Sequence, residues 1–224
     1  MKSTTFRNDI LKLEFQGVAI ASVADNAVTS PLTSLFAALH SAFPGYAGTQ
    51  ATSEAAYTGY ARKPIARSVA GFTVTGNLVT LAANVVFDER TDNGAAVELP
   101  FFTIGRLVTG AGVIHRIGVL GSKMGVITAT AADAVTVPGH TLVINDRCTI
   151  IAVDGQALPA GTTEGALYFV KTVAGNDITL STTLGGATLD ITAAGTGMLF
   201  RSTPITVTQG VSPVIKSTST ITEN

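Results

Sequence analysis
Three histidines, His40, His115 and His140, and one cysteine, Cys148, are the side chains best suited to metal binding or nucleophilic chemistry. The histidines fall on separate stretches, and none has a second ligand three or four residues away. Zinc sites draw on clustered ligands, so this pattern predicts no metal. Cys148 lies in an apolar run, with Asn145-Asp146-Arg147 before it and Thr149-Ile150-Ile151 after it. A nucleophilic thiol needs a neighbouring histidine and an exposed, electropositive setting. The sequence offers neither, so a buried free thiol is expected. A lone cysteine also excludes an intrachain disulfide and any multi-cysteine metal site.

The acidic residues Asp88, Glu89 and Asp92 share one loop with Arg90 but lack the alternation of a calcium loop. They are expected to be solvated. Gly105, Gly110, Gly112 and Gly118 form no phosphate-binding fingerprint, and no helix follows them. They read as turn and bulge glycines. Glycoside hydrolysis needs a placed pair of carboxylates, and none of the 15 acidic residues forms an evident pair. The expectation is a non-enzyme with no cofactor.

Aromatic contact residues are the better candidates. Tyr46 and Tyr57 lie in a long loop from Ala42 to Gly59, and Tyr60 follows it. The loop carries one acidic residue, Glu54, and no basic one. Long structureless loops are usually functional or disordered. This one is expected to lie across a neighbouring subunit and to order on assembly, with tyrosines as anchors because they are apolar with a polar tip. Phe6, Ile10, Leu11 and Phe15 recur near i+4 spacing in a segment from Thr5 to Phe15 that Thr4 or Thr5 can cap. That predicts a short helix needing a partner surface to persist, either its own sandwich or a neighbour. Phe6, Ile10, Phe15, Tyr46, Tyr57 and Tyr60 are the expected interface residues.

The elements that position these residues are strands. The chain has 224 residues, of which 46% are hydrophobic, 6% aromatic and 13% charged, with 23 glycines and no tryptophan. That profile fits a β-rich chain with many turns. Charge this far below the usual level of about 25% also fits a surface covered by protein partners. The net charge of −1 and the pI of 6.3 leave no basic field for a phosphate backbone, so no nucleic-acid partner is expected. The apolar run Val18 to Ala24 is too short to span a bilayer and follows Asp9 and Glu14 rather than a basic segment. Neither membrane association nor a secretory leader is expected, and the chain is expected to be made in a cytoplasm.

Strands are predicted at Leu35–Leu39 and Lys63–Arg67, then as a hairpin of Phe72–Thr75 and Leu78–Leu81 around Gly76-Asn77. Asn84–Phe87, Val97–Val108 and Gly112–Leu120 follow, with Pro100 marking an edge or bulge. From Gly121 to about Arg201 the style changes to short strands with turn signals every 8–12 residues or so, as in a small sandwich or barrel. The predicted strands are Val126–Val137, Thr141–Ile144, Thr149–Val153, Leu167–Val173, Asp177–Leu180 and Ala187–Ile191. Turns are placed at Pro138-Gly139, Asn145-Asp146, Asp154-Gly155, Gly175-Asn176 and Gly185-Gly186. Pro204 to Ile215 returns to the first style, and Lys216 to Asn224 reads as an arm or frayed end. The expected organisation is a first domain of residues 1–120 plus 203–224, interrupted by an inserted β-domain of residues 121–202.

Several stretches carry a likeness. They are Leu35-Phe36-Ala37-Ala38-Leu39-His40, then Ala42-Phe43-Pro44-Gly45-Tyr46-Ala47-Gly48-Thr49, then Gly59-Tyr60-Ala61-Arg62. Phe102-Thr103-Ile104-Gly105 and a closing Ile205-Thr206-Val207-Thr208-Gln209-Gly210-Val211-Ser212-Pro213 complete the set. Together, across residues 5–120 and 203–215, they resemble a family of tailed-phage virion proteins, usually labelled tail fibre protein, or capsid cement or decoration protein. Leu158 to Val170, Asn176 to Ser181 and Gly185-Gly186-Ala187 resemble β-modules embedded in phage structural proteins. The resemblance implies a mainly β fold: a jelly-roll-like sandwich with a short N-terminal helix and an inserted small β-domain. It implies a non-enzymatic virion building block, most simply a homo-oligomeric decoration protein bound to the major capsid protein or other virion proteins. The alternatives are a tail fibre or tail-tip component, or a module that binds host glycans. It brings no catalytic residues.

Overall fold
The computed structural model describes residues 4–20, 32–130, 132–153 and 156–222. Part of the run Val18 to Ala24 and the turn at Asp154-Gly155 lie outside these residues, as do Pro31 and the last two residues. The fold is mainly β, with several sheets and one short helical segment. Among the described residues no helix is long and apolar enough to cross a membrane.

The chain opens with α1 (Thr4–Leu11), which runs into a π-helical turn, Lys12–Gln16. Gly17 ends it in the left-handed region at φ 70°, donating its N–H to the Lys12 carbonyl. Leu11 and Phe15 are fully buried. The Phe15 ring meets Phe72 edge-on at 4.8 Å. Arg67 donates to the Leu13 and Glu14 carbonyls, which the helix end would otherwise leave unpaired. Glu14 is paired with Arg116, and its Oε1 lies 3.6 Å from His115 Nδ1. Burial is the largest influence on that carboxyl and opposes its charge. The hydrogen bonds and charges of His115 and Arg116 outweigh it and hold the pKa below the usual value. The helix therefore has its partner surface within its own chain.

Strands β1 (Ser34–His40), β2 (Lys63–Ala66), β3 (Phe72–Thr75), β4 (Leu78–Leu81), β5 (Val85–Val86), β6 (Val97–Leu99), β7 (Phe101–Gly105) and β8 (Ile114–Val119) follow. One antiparallel sheet has the order β2-β1-β7-β8. Its inner face carries Leu35, Ala37, Leu39, Ile65, Phe102 and Ile104. The β3–β4 hairpin forms where the turn residues predict it, and Phe72 and Val79 complete the same core. Val97–Val108 is divided at Pro100, which lacks the N–H to continue a ladder.

From Gly121 to Ser202 the chain builds a closed barrel. Its strands are β9 (Gly121–Ala129), β10 (Ala134–Thr136), β11 (Arg147–Ile151), β12 (Leu167–Ala174), β13 (Asp177–Ser181) and β14 (Gly195–Ser202), in the order β10-β13-β12-β11-β14-β9. Ile127, Val135, Ile150, Tyr168, Val170 and Leu180 fill it as a second, separate core. The segments predicted as strands at Thr141–Ile144 and Ala187–Ile191 are irregular, and β14 was not anticipated. Val126–Val137 is two strands, β9 and β10, pairing with each other around a turn where Asp133 has φ 60°.

The chain then returns. Strand β15 (Ile205–Val207) pairs with β6, β16 (Val214–Ile215) with β5, and β17 (Thr220–Thr222) with β4. The tail thus ends as a strand beside the β3–β4 hairpin. Entry to and exit from the barrel lie side by side, because Thr203 N–H donates to the Leu120 carbonyl at 2.7 Å. The barrel touches the layered part at defined points. Arg147 forms a two-pronged ion pair with Glu98 at 2.7 Å on each arm. Gly165 lies under Phe43, where a Cβ would come within 2.1 Å of the Phe43 side chain.

Side-by-side crossing strands and two separate cores make the barrel removable. Joining Leu120 to Thr203 through a two- or three-residue glycine linker is expected to leave a soluble β-rich chain. A circular dichroism spectrum of unfolded protein, across several linker lengths, is the opposing result.

Candidate interaction surface
Strands β1 and β7 are buried on both faces. On the face opposite the core, Ala38, His40, Phe101 and Thr103 are all inaccessible to solvent. A strand read as FFTIG, with every residue buried, needs a cover on each side. In most folds a helix supplies it. Here the cover is the loop between β1 and β2, residues 41–62.

A covering loop brings backbone polar groups out of water, and each needs a partner. Short bridges take some of them: His40 pairs with Glu54, and Thr49 with Val113. Ala55 N–H donates to the Leu39 carbonyl at 2.8 Å, and Gln50 N–H to the Gly112 carbonyl at 2.8 Å. Side chains complete the set. The Gln50 amide, fully buried, donates through Nε2 to the Phe36 carbonyl at 3.0 Å and accepts from Leu107 N–H at 3.2 Å. Gly105 and Gly112 flank this amide, and a Cβ on either would come within 2.4 Å of it. Those two glycines are required by the closeness of Gln50.

Glu54 is the centre of the network. Arg62 holds it with two arms, at 2.6 and 2.7 Å, and Tyr60 donates its hydroxyl to Oε1 at 3.1 Å. Arg62 also donates to the Leu107 carbonyl at 3.0 Å and the Gly110 carbonyl at 2.6 Å. Its side chain is 2% exposed. The Tyr60 hydroxyl accepts from Leu39 N–H at 3.0 Å. Burial chiefly pushes the Tyr60 pKa up, well beyond its ordinary value, so it stays a donor.

His40 closes the other end. Its Nδ1 lies 2.9 Å from the Thr52 carbonyl and its Nε2 2.8 Å from Thr103 Oγ1. A carbonyl only accepts, so Nδ1 carries the proton and Nε2 accepts from the threonine. Burial is the main influence on the ring and lowers its pKa. The Thr52 carbonyl and Glu54 act against that, and Arg62 adds to it.

The six expected interface residues are distributed as follows. Phe15 packs on Phe72 inside the chain, and Ile10 is half-buried on α1. The Phe6 side chain lies outside the described residues. Tyr57 is 6% exposed and donates to the Asp88 carbonyl at 3.0 Å. Burial and, secondarily, Asp88 push its pKa up to about 12. Tyr57 and Tyr60 meet at 5.4 Å, and Tyr60 stacks on Phe87 at 6.0 Å. Tyr46 is 66% exposed; its ring packs edge-on against Phe43, and its hydroxyl lies 3.4 Å from the Ala152 carbonyl of the barrel. The loop expected to await a neighbour is thus bound to its own sheet, to the β7–β8 hairpin and to the barrel.

The other chemistry-bearing groups also hold structure. Asp92 is gripped by Arg90, by Gly94 N–H and by Thr58 N–H, which together keep its carboxyl far below the usual range. Cys148 is fully buried in the barrel, and burial pushes its thiol up to about 12. His140 Nδ1 accepts from Leu142 N–H at 3.0 Å. No group of histidine, cysteine and carboxylate side chains suited to a metal occurs among the described residues.

Compared with known proteins, the chain matches no family model, no curated protein and no solved structure.

Two measurements probe the network. Arg62→Ala removes both guanidinium arms from Glu54, leaving it the Tyr60 hydroxyl, and takes a donor from the Leu107 and Gly110 carbonyls. Breaking one half of a buried pair costs about 3–5 kcal/mol, which urea denaturation should read as a lowered midpoint. For His40, a depressed folded pKa means full stability above the unfolded value of 6.5 and loss as the pH falls through it toward the lower folded value. Thermal midpoints at pH 7.5 and 5.5 should differ more for the natural chain than for His40→Gln, since glutamine can donate to Thr52 and accept from Thr103 without titrating. Equal pH dependence in both would exclude His40 as a source of acid sensitivity.

Proposed function
We propose that the chain is a non-enzymatic structural component of a tailed-phage virion, a decoration protein bound in many copies to the capsid shell. The observation that carries the reading is where the family-like stretches meet. Leu35–His40 is β1, Phe102–Gly105 lies in β7, and Ala42–Thr49 and Gly59–Arg62 are the two ends of the loop that covers both strands. Four of the five stretches that carry the first-domain resemblance therefore form one packed assembly, the covered sheet, while the closing stretch from Ile205 pairs with β6.

The consumption of reactive groups supports the same reading. His40, Cys148, Glu54 and Asp92 are each taken up by burial or by hydrogen bonds that hold the fold. In this reading the layered part is a reduced jelly roll that sits on the shell as a homo-oligomer, and the barrel projects from it. Its partner is the major capsid protein. Binding would come from burying apolar area between subunits, at about 25 cal/mol per Å² before association costs.

Copy number decides. Mass-spectrometric stoichiometry on gradient-purified particles should give on the order of hundreds of copies, because a closed symmetric shell repeats one contact many times. A few tens of copies would move the chain to the tail, as a fibre or tip component. Its absence from particles would overturn the reading.

A further inference from the structure
Strand β11 turns its two faces to different surroundings. Cys148 and Ile150 point into the barrel core. Arg147, Thr149 and Ile151 alternate with them and point out. That outer face is where the layered part docks. At one end Arg147 pairs with Glu98 of β6. Just past the other end, the Ala152 carbonyl lies 3.4 Å from the Tyr46 hydroxyl. Between them, Gly165 donates its N–H to the Ile150 carbonyl and lies under Phe43. Thr149 sits amid these contacts and is fully inaccessible to solvent. A threonine that faces away from its own barrel core and is still buried lies in the seam between the two parts.

Strand β14 runs beside β11, with Cys148 opposite Arg201 and Thr149 opposite Phe200. One step further along that register, Ser202 falls opposite Arg147. Leu199 belongs to the barrel core, so Ser202, three positions on, faces out with Thr149. Ser202 is buried, and the next residue, Thr203, makes the crossing contact with Leu120. Arg147 Nε, Thr149 Oγ1 and Ser202 Oγ therefore belong to neighbouring positions on one outer face. All three atoms are buried, and none meets a hydrogen-bond partner among the described residues.

Buried polar groups are rarely left unpaired, because each then keeps its full desolvation penalty. The chemistry of the three atoms selects their guest. A guanidinium N–H only donates, whereas a hydroxyl donates or accepts. The guest must accept from Arg147 and exchange bonds with two hydroxyls. An anion would accept from all three, but Glu98 already matches the charge of Arg147 with both carboxylate oxygens. A further negative charge would be buried without a counter-charge. Water both accepts and donates, and about three partners is usual for a buried water. Contacts between two parts of one chain are also of the more polar kind that retains water. We infer that the seam between the barrel and the layered part holds a bound water, shared by Arg147 Nε, Thr149 Oγ1 and Ser202 Oγ. The inference is independent of the virion reading.

The test uses the purified full chain. Oxygen-17 magnetic relaxation dispersion counts water molecules held longer than the protein takes to tumble, and exchanging hydroxyl protons do not disturb it. Thr149→Val with Ser202→Ala is expected to lower that count by at least one, with an unchanged circular dichroism spectrum. Thr73→Val, at an exposed position of β3, should leave the count as it is. Thermal midpoints give a second reading whose sign discriminates, and Thr149→Val alone keeps side-chain shape and guards against loss of fold. If the hydroxyl binds water, valine strips a partner from that water and the midpoint falls by about 2–4 °C. If the hydroxyl is an orphan in a dry seam, valine removes a penalty and the midpoint rises. An unchanged water count in the double variant overturns the inference. So does a raised midpoint in Thr149→Val, or a Thr73→Val variant that loses water equally.

Discussion
The ion pair of Glu54 and Arg62 is the interaction on which the rest of the covered sheet depends. Bringing two charges out of water costs several kcal/mol each and is recovered only when their remaining hydrogen-bonding groups are satisfied. Glu54 meets that condition with both arms of Arg62 and the Tyr60 hydroxyl. Arg62 meets it with two carbonyls of the β7–β8 hairpin as well. One guanidinium therefore ties the covering loop to the hairpin. The arrangement exists because β1 and β7 are buried on both faces, and their outer cover is irregular chain instead of a helix. A helix pairs its own backbone. A loop must borrow donors and acceptors, and His40, Gln50, Glu54, Tyr60 and Arg62 are the loan.

Two consequences follow from the same constraint. The loop is a bracket for the barrel: Phe43 packs against Phe101 on one side and Gly165 on the other, and Tyr46 reaches the Ala152 carbonyl. Arg147 and Glu98 add a second strut. The hairpin, meanwhile, has backbone groups of Leu107, Gly110 and Gly112 paired and its Leu107, Val108 and Val113 side chains exposed. Such a surface is ordered before any contact is made. That differs from a loop that folds only on contact, which must meet the ordering entropy at that moment.

Much of this was legible in the sequence where local rules act alone. The hairpin of Phe72 to Leu81 follows from alternation and a Gly-Asn turn. The N-terminal helix follows from apolar spacing, although its π-helical end does not, since that end is fixed by Arg67 and Phe72 from distant parts of the chain. Strand β14 was hidden because it begins with glycines. Gly195 and Gly197 lie so close to Leu158 and Ile150 that a Cβ would come within 2.8 Å of their atoms, so packing demands residues with low strand preference. The turn between β9 and β10 carries neither glycine nor proline, so two strands read as one. The loop from Ala42 to Gly59 read as one acidic residue without a base. Its base, Arg62, stands just beyond that window, and no periodicity links it to Glu54. Tyrosines that hold a network internally and tyrosines that anchor a neighbour look alike until partners are known.

The central claim is that residues 41–62 and the β7–β8 hairpin are fixed parts of the isolated chain. Native-state amide hydrogen exchange tests it most directly. The account predicts that the amides of Gln50, Ala55 and Leu107, each donating to a named acceptor, exchange slower than free peptide by a factor on the order of 10³ or more, as core strands do. Exchange of these amides at free-peptide rates, while β1 and β7 stay protected, would show an unbound loop and contradict the account.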